Sequence, residues 1–234
     1  MKIKAIIWDY DGTLVDTRRK NLNVTKAIIS EVSGDVNKNF PALSSLDNYE
    51  EVNIKYSNWR ELYRKEFKMD EDQIDFAGSL WTKYQLLDKT PVELFDGIKN
   101  VISRLNNYKH GIVSQNSFEN IRNSLEYFGL LKFFNMIIGY EEIGLLNQKP
   151  HPDGLLLCIN KLGYLDEDEL IIYIGDHQTD MECAFNANKI LRRKAIITIY
   201  MKHSKNNLSI DWVYKPDYIA FNAFEIINII KNIT

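Results

Sequence analysis

Cysteine is almost missing from this chain. Cys158 and Cys183 are its only two, each inside a segment that reads as a helix. Neither has the paired spacing of a metal-ligand set or a disulfide framework. Both read as small apolar packing residues, and a reducing compartment, the cytoplasm, is the expected setting. Long apolar runs are missing too. Ala5-Ile6-Ile7-Trp8 is far too short for a signal-peptide core or a membrane span. Without an export signal, the acceptor triplet Asn23-Val24-Thr25 is a chance match. There is no excess of one charge: 29 basic and 32 acidic residues leave a net charge of −3. That balance gives no electrostatic case for nucleic acid or a membrane surface as partner. Attraction for an anionic ligand must therefore come from a local site. Repeats and low-complexity tracts are also absent.

What is present is an alternation of strand-like and helix-like segments over the C-terminal two thirds of the 234 residues. Lys4 to Trp8 is a short isoleucine-rich run ending in acids and a glycine, the pattern of a buried strand entering a loop. Similar runs occur at Gly111–Val113, Met136–Ile138, Leu170–Ile174 and Ala195–Ile199. Between them, Ile98, Val101, Ile102 and Leu105 recur at helical spacing, as do Phe118, Ile121, Leu125 and Phe128. The pattern predicts an α/β fold, a Rossmann-like parallel sheet with helices on both faces. Residues 17–91 break the alternation. Val52, Tyr56, Trp59 and Tyr63 fall on one helical stripe, and Ile74, Ala77, Trp81 and Tyr84 on another. Both stripes are expected to be helix-to-helix core. Asp47 with Glu50 reads as a helix N-cap box, and Asp70 as a second cap. The expected organisation is a core of residues 1–16 and 92–234 with a small α-helical cap, 17–91, inserted after the first strand.

In an open parallel sheet, ligands bind outside the carboxyl ends of the strands. The first strand ends in Trp8-Asp9-Tyr10-Asp11-Gly12-Thr13-Leu14-Val15-Asp16, the second in Ser114-Gln115-Asn116-Ser117. The third precedes a loop holding Asn147-Gln148-Lys149-Pro150, and the fourth ends in Gly175-Asp176-His177-Gln178-Thr179-Asp180. Five acids, a hydroxyl and a lysine thus converge on one rim. Acids packed together repel one another and cost stability unless a cation joins them. Oxygen ligands without thiolate or clustered histidine select a hard ion such as Mg²⁺, which Asp9 and Asp176 are placed to hold.

Asp9-Tyr10-Asp11-Gly12-Thr13, Ser114, Lys149 and Gly175-Asp176 with Asp180 resemble, in order, the four motifs of the haloacid dehalogenase-like hydrolase superfamily. The resemblance covers essentially the whole chain. The insert is similar to the C1 cap of the subgroup containing phosphoglycolate phosphatases and β-phosphoglucomutases. The resemblance implies that Asp9 is a nucleophile forming an aspartyl-phosphate. It implies that Asp11 is the general acid and then the base, its backbone carbonyl joining the metal shell. Ser114 and Lys149 would hold the phosphoryl oxygens, with Gly12 and Gln115 completing the substrate side. Asp176 would be a metal ligand, and Asp180 a further metal partner or a support behind it. Dehalogenases of the superfamily carry tyrosine in place of Asp11 and phosphonate-cleaving members alanine, so Asp11 implies phosphate-ester chemistry. The implied protein is a Mg²⁺-dependent phosphatase acting on a small phosphorylated metabolite, as monomer or homodimer. A phosphomutase needs the same two aspartates and stays open, as does a non-catalytic regulator that merely keeps the fold.

Other candidates read more plainly. Asp16 and Thr17 are expected to cap the first insert helix, and His177 to contact substrate or fill its loop. His151 reads as a loop residue, and His110 and His203 as surface. Arg18-Arg19-Lys20 and Arg192-Arg193-Lys194 read as solvated faces, with Arg18 and Arg19 the better placed to steer an anion. Arg60, Arg64 and Lys65 are further insert cations. Ile226-Ile227-Asn228-Ile229-Ile230 reads as a docking helix.

Overall fold

The computed structural model describes residues 2–34, 40–56, 58–163, 166–203 and 212–233. The five isoleucine-rich runs become strands: β1 (Lys2–Trp8), β4 (Lys109–Val113), β5 (Phe134–Ile138), β6 (Glu169–Gly175) and β7 (Ile196–Met201); β8 (Tyr218–Ala220), three residues long, has no such run and is not among the strands expected from the sequence. Two-residue strands β2 (Val15–Asp16) and β3 (Glu93–Leu94) lie between β1 and β4. The six longer strands form one sheet in the order β5-β4-β1-β6-β7-β8. Every pairing is parallel. All seven residues of β6 are buried, which is what an unbroken apolar run means in a strand covered on both faces. The chain winds outward from β1 in both directions, so the switch in strand order falls beside β1.

Side chains alternate across a strand, and β1 sorts its residues accordingly. Ala5 and Ile7 share a cluster with Leu155, Cys158 and Ile159 of α8 (Asp153–Leu162) and Cys183, Ala184 and Ala187 of α9 (Gln178–Leu191). Both cysteines are buried and unpaired there. Gly111 belongs to that contact, because a Cβ on it would lie 2.5 Å from Cys158 Sγ. Ile6 and Trp8 take the other face. Trp8 Nε1–H donates to His110 Nδ1 at 2.9 Å, and His110 Nε2–H donates to the carbonyl of Leu105 at 3.0 Å, just past α6 (Ile98–Arg104). His110 is therefore not on the surface as expected. It is 1% exposed, and burial holds its pKa below the ordinary imidazole value. The isoleucine run near the C-terminus forms α10 (Ala223–Ile233), which packs on α6 and β8. Each fully buried Ile or Leu on these faces contributes about 1.5–3 kcal/mol.

Internal packing divides the chain into two units, Met1–Asp16 with Leu94–Thr234, and Thr17–Glu93. The second unit holds α1 (Arg18–Ser33), α2 (Leu46–Lys55), α3 (Trp59–Glu66), α4 (Glu71–Ser79) and α5 (Trp81–Leu87). They surround a core that includes Leu22, Ile28, Leu62, Tyr63, Phe67 and Ile74. Neither sequence stripe is one helix. Tyr56 turns extended (φ −102°, ψ 146°) and ends α2, and Asn58 opens α3 by accepting the Glu61 N–H at 3.0 Å. The second stripe divides at Leu80, between α4 and α5. Trp59, Tyr63 and Phe67 meet edge to face, so this stripe is indeed core. The Asp47–Glu50 box is displaced: Ser45 caps α2, accepting the Asn48 N–H at 3.1 Å. Asp70 caps α4 in a full box with Gln73. Thr17 stands at the start of α1 without a capping bond, and its hydroxyl accepts from Asn21 instead.

Candidate active site

Strand parity assembles the first part of the site. Asp9 follows β1 two residues after Ile7, so it turns to the α8–α9 face. Tyr173, paired with Ile7 in register, turns the same way from β6. Lys149 precedes α8, and Asp180 lies in the first turn of α9. All four meet. Lys149 Nζ donates to Asp9 Oδ1 and, at 2.7 Å, to Asp180 Oδ1. Tyr173 OH donates to the same Asp180 oxygen at 2.9 Å, and the His177 N–H donates to Oδ2 at 3.1 Å. Asp180 is thus held by the capping box of its own helix while it holds Lys149. Gly175 makes room, since a Cβ there would fall 2.3 Å from Asp180 Cγ.

The loop after Asp9 supplies the rest. Tyr10 O accepts from Leu14 N–H at 3.0 Å, and the Gly12 N–H reaches Val15 O at 2.9 Å, closing a tight turn. Gly12 has φ +80°, and a Cβ on it would lie 2.1 Å from Asp176 Oδ2. Only glycine tolerates both conditions. Thr13 Oγ1 donates to Asp176 Oδ1 at 3.2 Å. Across the turn, Asp11 accepts from Ser114 Oγ at 3.3 Å and from Asn116 Nδ2 at 3.1 Å on each oxygen. Gln115 points elsewhere, its amide donating to the Lys149 carbonyl at 2.8 Å. Hydrogen bonds thus join Lys149 to Asp9 and Asp180, Asp11 to Ser114 and Asn116, and Asp176 to Thr13, with Asp9 and Asp11 two residues apart on one loop.

Its electrostatics are those of crowded acids. Burial pushes the Asp9 carboxyl up to about 7; Lys149 opposes that rise, while the charges of Asp180 and Asp11 add to it. Asp176 is raised well above the usual carboxylate range, first by burial and then by Asp9 and Asp180. Burial alone would lower the pKa of Lys149, yet Asp180 and Asp9 outweigh it and raise it, so the ammonium stays charged. That single cation serves Asp9 and Asp180 but makes no hydrogen bond to Asp176, whose one donor among the described residues is Thr13. Asp9, Asp176 and Asp180 each offer an oxygen, all within 4.8 Å of one another. An all-carboxylate set in which the lysine is hydrogen-bonded to only two of the three acids fits a hard divalent cation.

The remaining candidates have structural posts. His177 is the N-cap of α9, its Nδ1 accepting the Thr179 N–H. His151 stands half-exposed beside Asp153. His203, expected on the surface, stacks on Phe95 with ring centres 3.5 Å apart, and its Nε2–H donates to Thr13 O at 2.9 Å. Arg18 pairs with Glu50, Arg60 with Asp75 and Glu71, Arg64 with Glu71, and Lys65 with Glu61. Arg193 donates to the carbonyls of Asp166, Glu167 and Glu169, and Lys194 pairs with Asp217. Thr13 and Asn116 stand within the sequence motifs but have no role assigned from sequence, and neither does Tyr173. A hydroxyl one step past Gly12, an amide two past Ser114 and a lone tyrosine in the isoleucine run of β6 were the available signals.

Fold and site together define an α/β enzyme whose chemistry sits at the carboxyl edge of a parallel sheet. A family model described as haloacid dehalogenase-like hydrolase matches residues 6–190. The chain belongs to that family and is an enzyme of its phosphatase class. It is 23% identical over 239 residues to pyrophosphatase PpaX of Listeria innocua, covering 99% of this chain and 98% of that protein. PpaX of Oceanobacillus iheyensis is 28% identical over 233 residues, with 98% of each covered. Among solved structures, a haloacid dehalogenase-like hydrolase from Bacteroides fragilis superposes with a TM-score of 0.75 at 21% identity, over 96% of this chain and 100% of that one. A protein described as a predicted phosphoglycolate phosphatase from Haemophilus somnus gives 0.71 at 20%, over 98% and 99%. Both structural likenesses bear on the fold alone. Among the described residues no helix is long and apolar enough to cross a membrane.

Proposed function

We propose that this protein is a Mg²⁺-dependent phosphatase that hydrolyses a small phosphorylated metabolite in the cytoplasm through an aspartyl-phosphate on Asp9. The observation that carries the reading is the buried Asp9 carboxylate, gripped by Lys149 and lying beside Asp176 and Asp180 at the sheet edge. In the first step an Asp9 carboxylate oxygen attacks phosphorus in line and forms a P–O bond. The bond to the leaving oxygen breaks, and Asp11 gives that oxygen its proton. In the second step Asp11, now a carboxylate, takes a proton from water, whose oxygen attacks phosphorus. The P–O bond to Asp9 then breaks, and inorganic phosphate leaves. Ser114 and Lys149 bind the phosphoryl oxygens, and Lys149 offsets the charge gathered there. Asp180, occupied by Lys149, Tyr173 and a backbone N–H, acts mainly by aiming Lys149. When bound, Mg²⁺ would be held by Asp9, Asp176 and the Asp11 carbonyl with Asp180 behind them, and would supply charge neutralisation for the phosphoryl group.

The substrate class is small phosphorylated compounds: phosphoglycolate, sugar phosphates and nucleoside monophosphates. The relatives named pyrophosphatases add inorganic pyrophosphate, which the same two steps would cleave. The test is phosphate release from a panel of these compounds, with magnesium and with chelator. Magnesium-dependent release from a few compounds is expected, and Asp9→Asn should abolish it in a folded protein. Release that persists in Asp9→Asn would overturn the nucleophile. Conversion of a phosphosugar without phosphate release would replace the hydrolase by a mutase.

A further inference from the structure

Asn116 is 2% exposed, and its polar groups are all engaged. Its side-chain carbonyl accepts from the Ser117 N–H at 2.8 Å and from Asn120 Nδ2 at 3.0 Å. Its own N–H donates to Ser114 Oγ at 3.0 Å, and its backbone carbonyl accepts from Tyr140 N–H at 3.2 Å. What remains is the amide nitrogen, which donates to both oxygens of Asp11 at 3.1 Å. A buried carboxamide fixed at its oxygen end by two donors has one orientation. That orientation presents the NH₂ to Asp11. The brace is built into α7 (Phe118–Tyr127): Ser117 is its N-cap, and Asn120 lies one turn along.

We propose that Asn116 is a positioning residue for proton transfer, fixing the Asp11 carboxyl so that its proton points at the leaving oxygen; this rests on the reading of Asp9 and Asp11 above. The amide donates to lone pairs of the carboxyl group, which leaves the acid proton directed away from Asn116. As the P–O bond to the leaving group breaks, that proton passes to the departing oxygen. A neutral alcohol leaves, and the new Asp11 carboxylate keeps both amide contacts. Ser114 is held in the same device by the Asn116 N–H on its oxygen; its hydroxyl hydrogen goes to Asp11 in this structure and is free to turn to a phosphoryl oxygen when substrate binds.

A group that only supports the fold would lower the turnover of every substrate alike. A group that aims the general acid matters most when the leaving group is poor. The experiment compares kcat/KM, which reports the first chemical step, for 4-nitrophenyl phosphate and for an alkyl phosphate. In Asn116→Ala the alkyl ester is expected to lose about 10- to 100-fold, and the aryl ester, which needs little protonation, no more than about 3-fold. Asn120→Ala removes only the brace, so it should give the same selectivity at reduced size. It decides the matter if Asn116→Ala does not fold. Equal losses on both esters, or none, would overturn the positioning role while leaving the phosphatase reading intact. A wild-type protein that turns over neither ester, nor any compound of the panel, would instead remove the reading on which the inference rests.

Discussion

Among the described residues Lys149 is the one cation hydrogen-bonded within the Asp9, Asp176 and Asp180 group, and its position divides the labour among these acids. With Asp180 neutralised, the ammonium would lean on Asp9 alone and draw the lone pair of the proposed nucleophile toward itself. Asp180→Asn, which keeps the shape and drops one charge, is therefore expected to cut kcat/KM about 10- to 100-fold, the usual cost of losing an outer partner. Steady-state kinetics on any accepted substrate would check this, and unchanged kcat/KM would refute it. Gly12→Ala is expected to lose turnover altogether, because the new methyl would sit on Asp176 Oδ2. A folded, active Gly12→Ala would contradict the close approach of that loop. At this scale the arrival of Asp9, Ser114 and Asp176 at strand ends is legible in the sequence, since a strand end is a local signal. That Tyr173 and Asn116 join them is not. Their involvement depends on register between β1 and β6 and on a brace within α7, neither of which leaves a mark in linear spacing.

Among the elements, the sheet is the most legible part apart from β8, because short isoleucine-rich runs such as Leu170–Ile174, set between amphipathic helices, fit strands buried on both sides. Helix limits in the second unit are less so. A 3.6-residue stripe continues through Tyr56 and Leu80 although the backbone breaks there, because short helices can share one apolar core while changing direction. Asp47 and Glu50 have the spacing of a capping box, but the helix begins earlier, and Ser45 takes the cap. Asp70 succeeds because Gln73 answers it with the reciprocal bond. Asp70→Ala should consequently cost about 1 kcal/mol. The check is a lowered urea midpoint with little change in kcat/KM, since the proposed catalytic residues belong to the other unit. A midpoint equal to wild type would mean that α4 is held by packing alone.

Over the molecule as a whole, the acid cluster ties stability to pH and to metal. The Asp9 carboxyl titrates near 7 in the folded chain and near 3.8 without its surroundings. Between those values the folded state binds a proton that the unfolded state has lost, so stability falls as pH rises through that window. Asp176 moves in the same direction. A divalent cation on these oxygens competes with the protons, so its stabilising effect should grow as pH rises. The melting temperature is expected to climb more on adding magnesium at pH 8 than at pH 5, and an equal rise at both would contradict the placement of the cation.

The central claim is that phosphoryl passes through Asp9. Mass spectrometry of peptides from enzyme quenched in acid during turnover tests it most directly. The prediction is one phosphoryl group on the peptide containing Asp9, formed only with magnesium and absent from Asp9→Asn. A phosphoryl group on another residue, or phosphate release undiminished in Asp9→Asn, would contradict it.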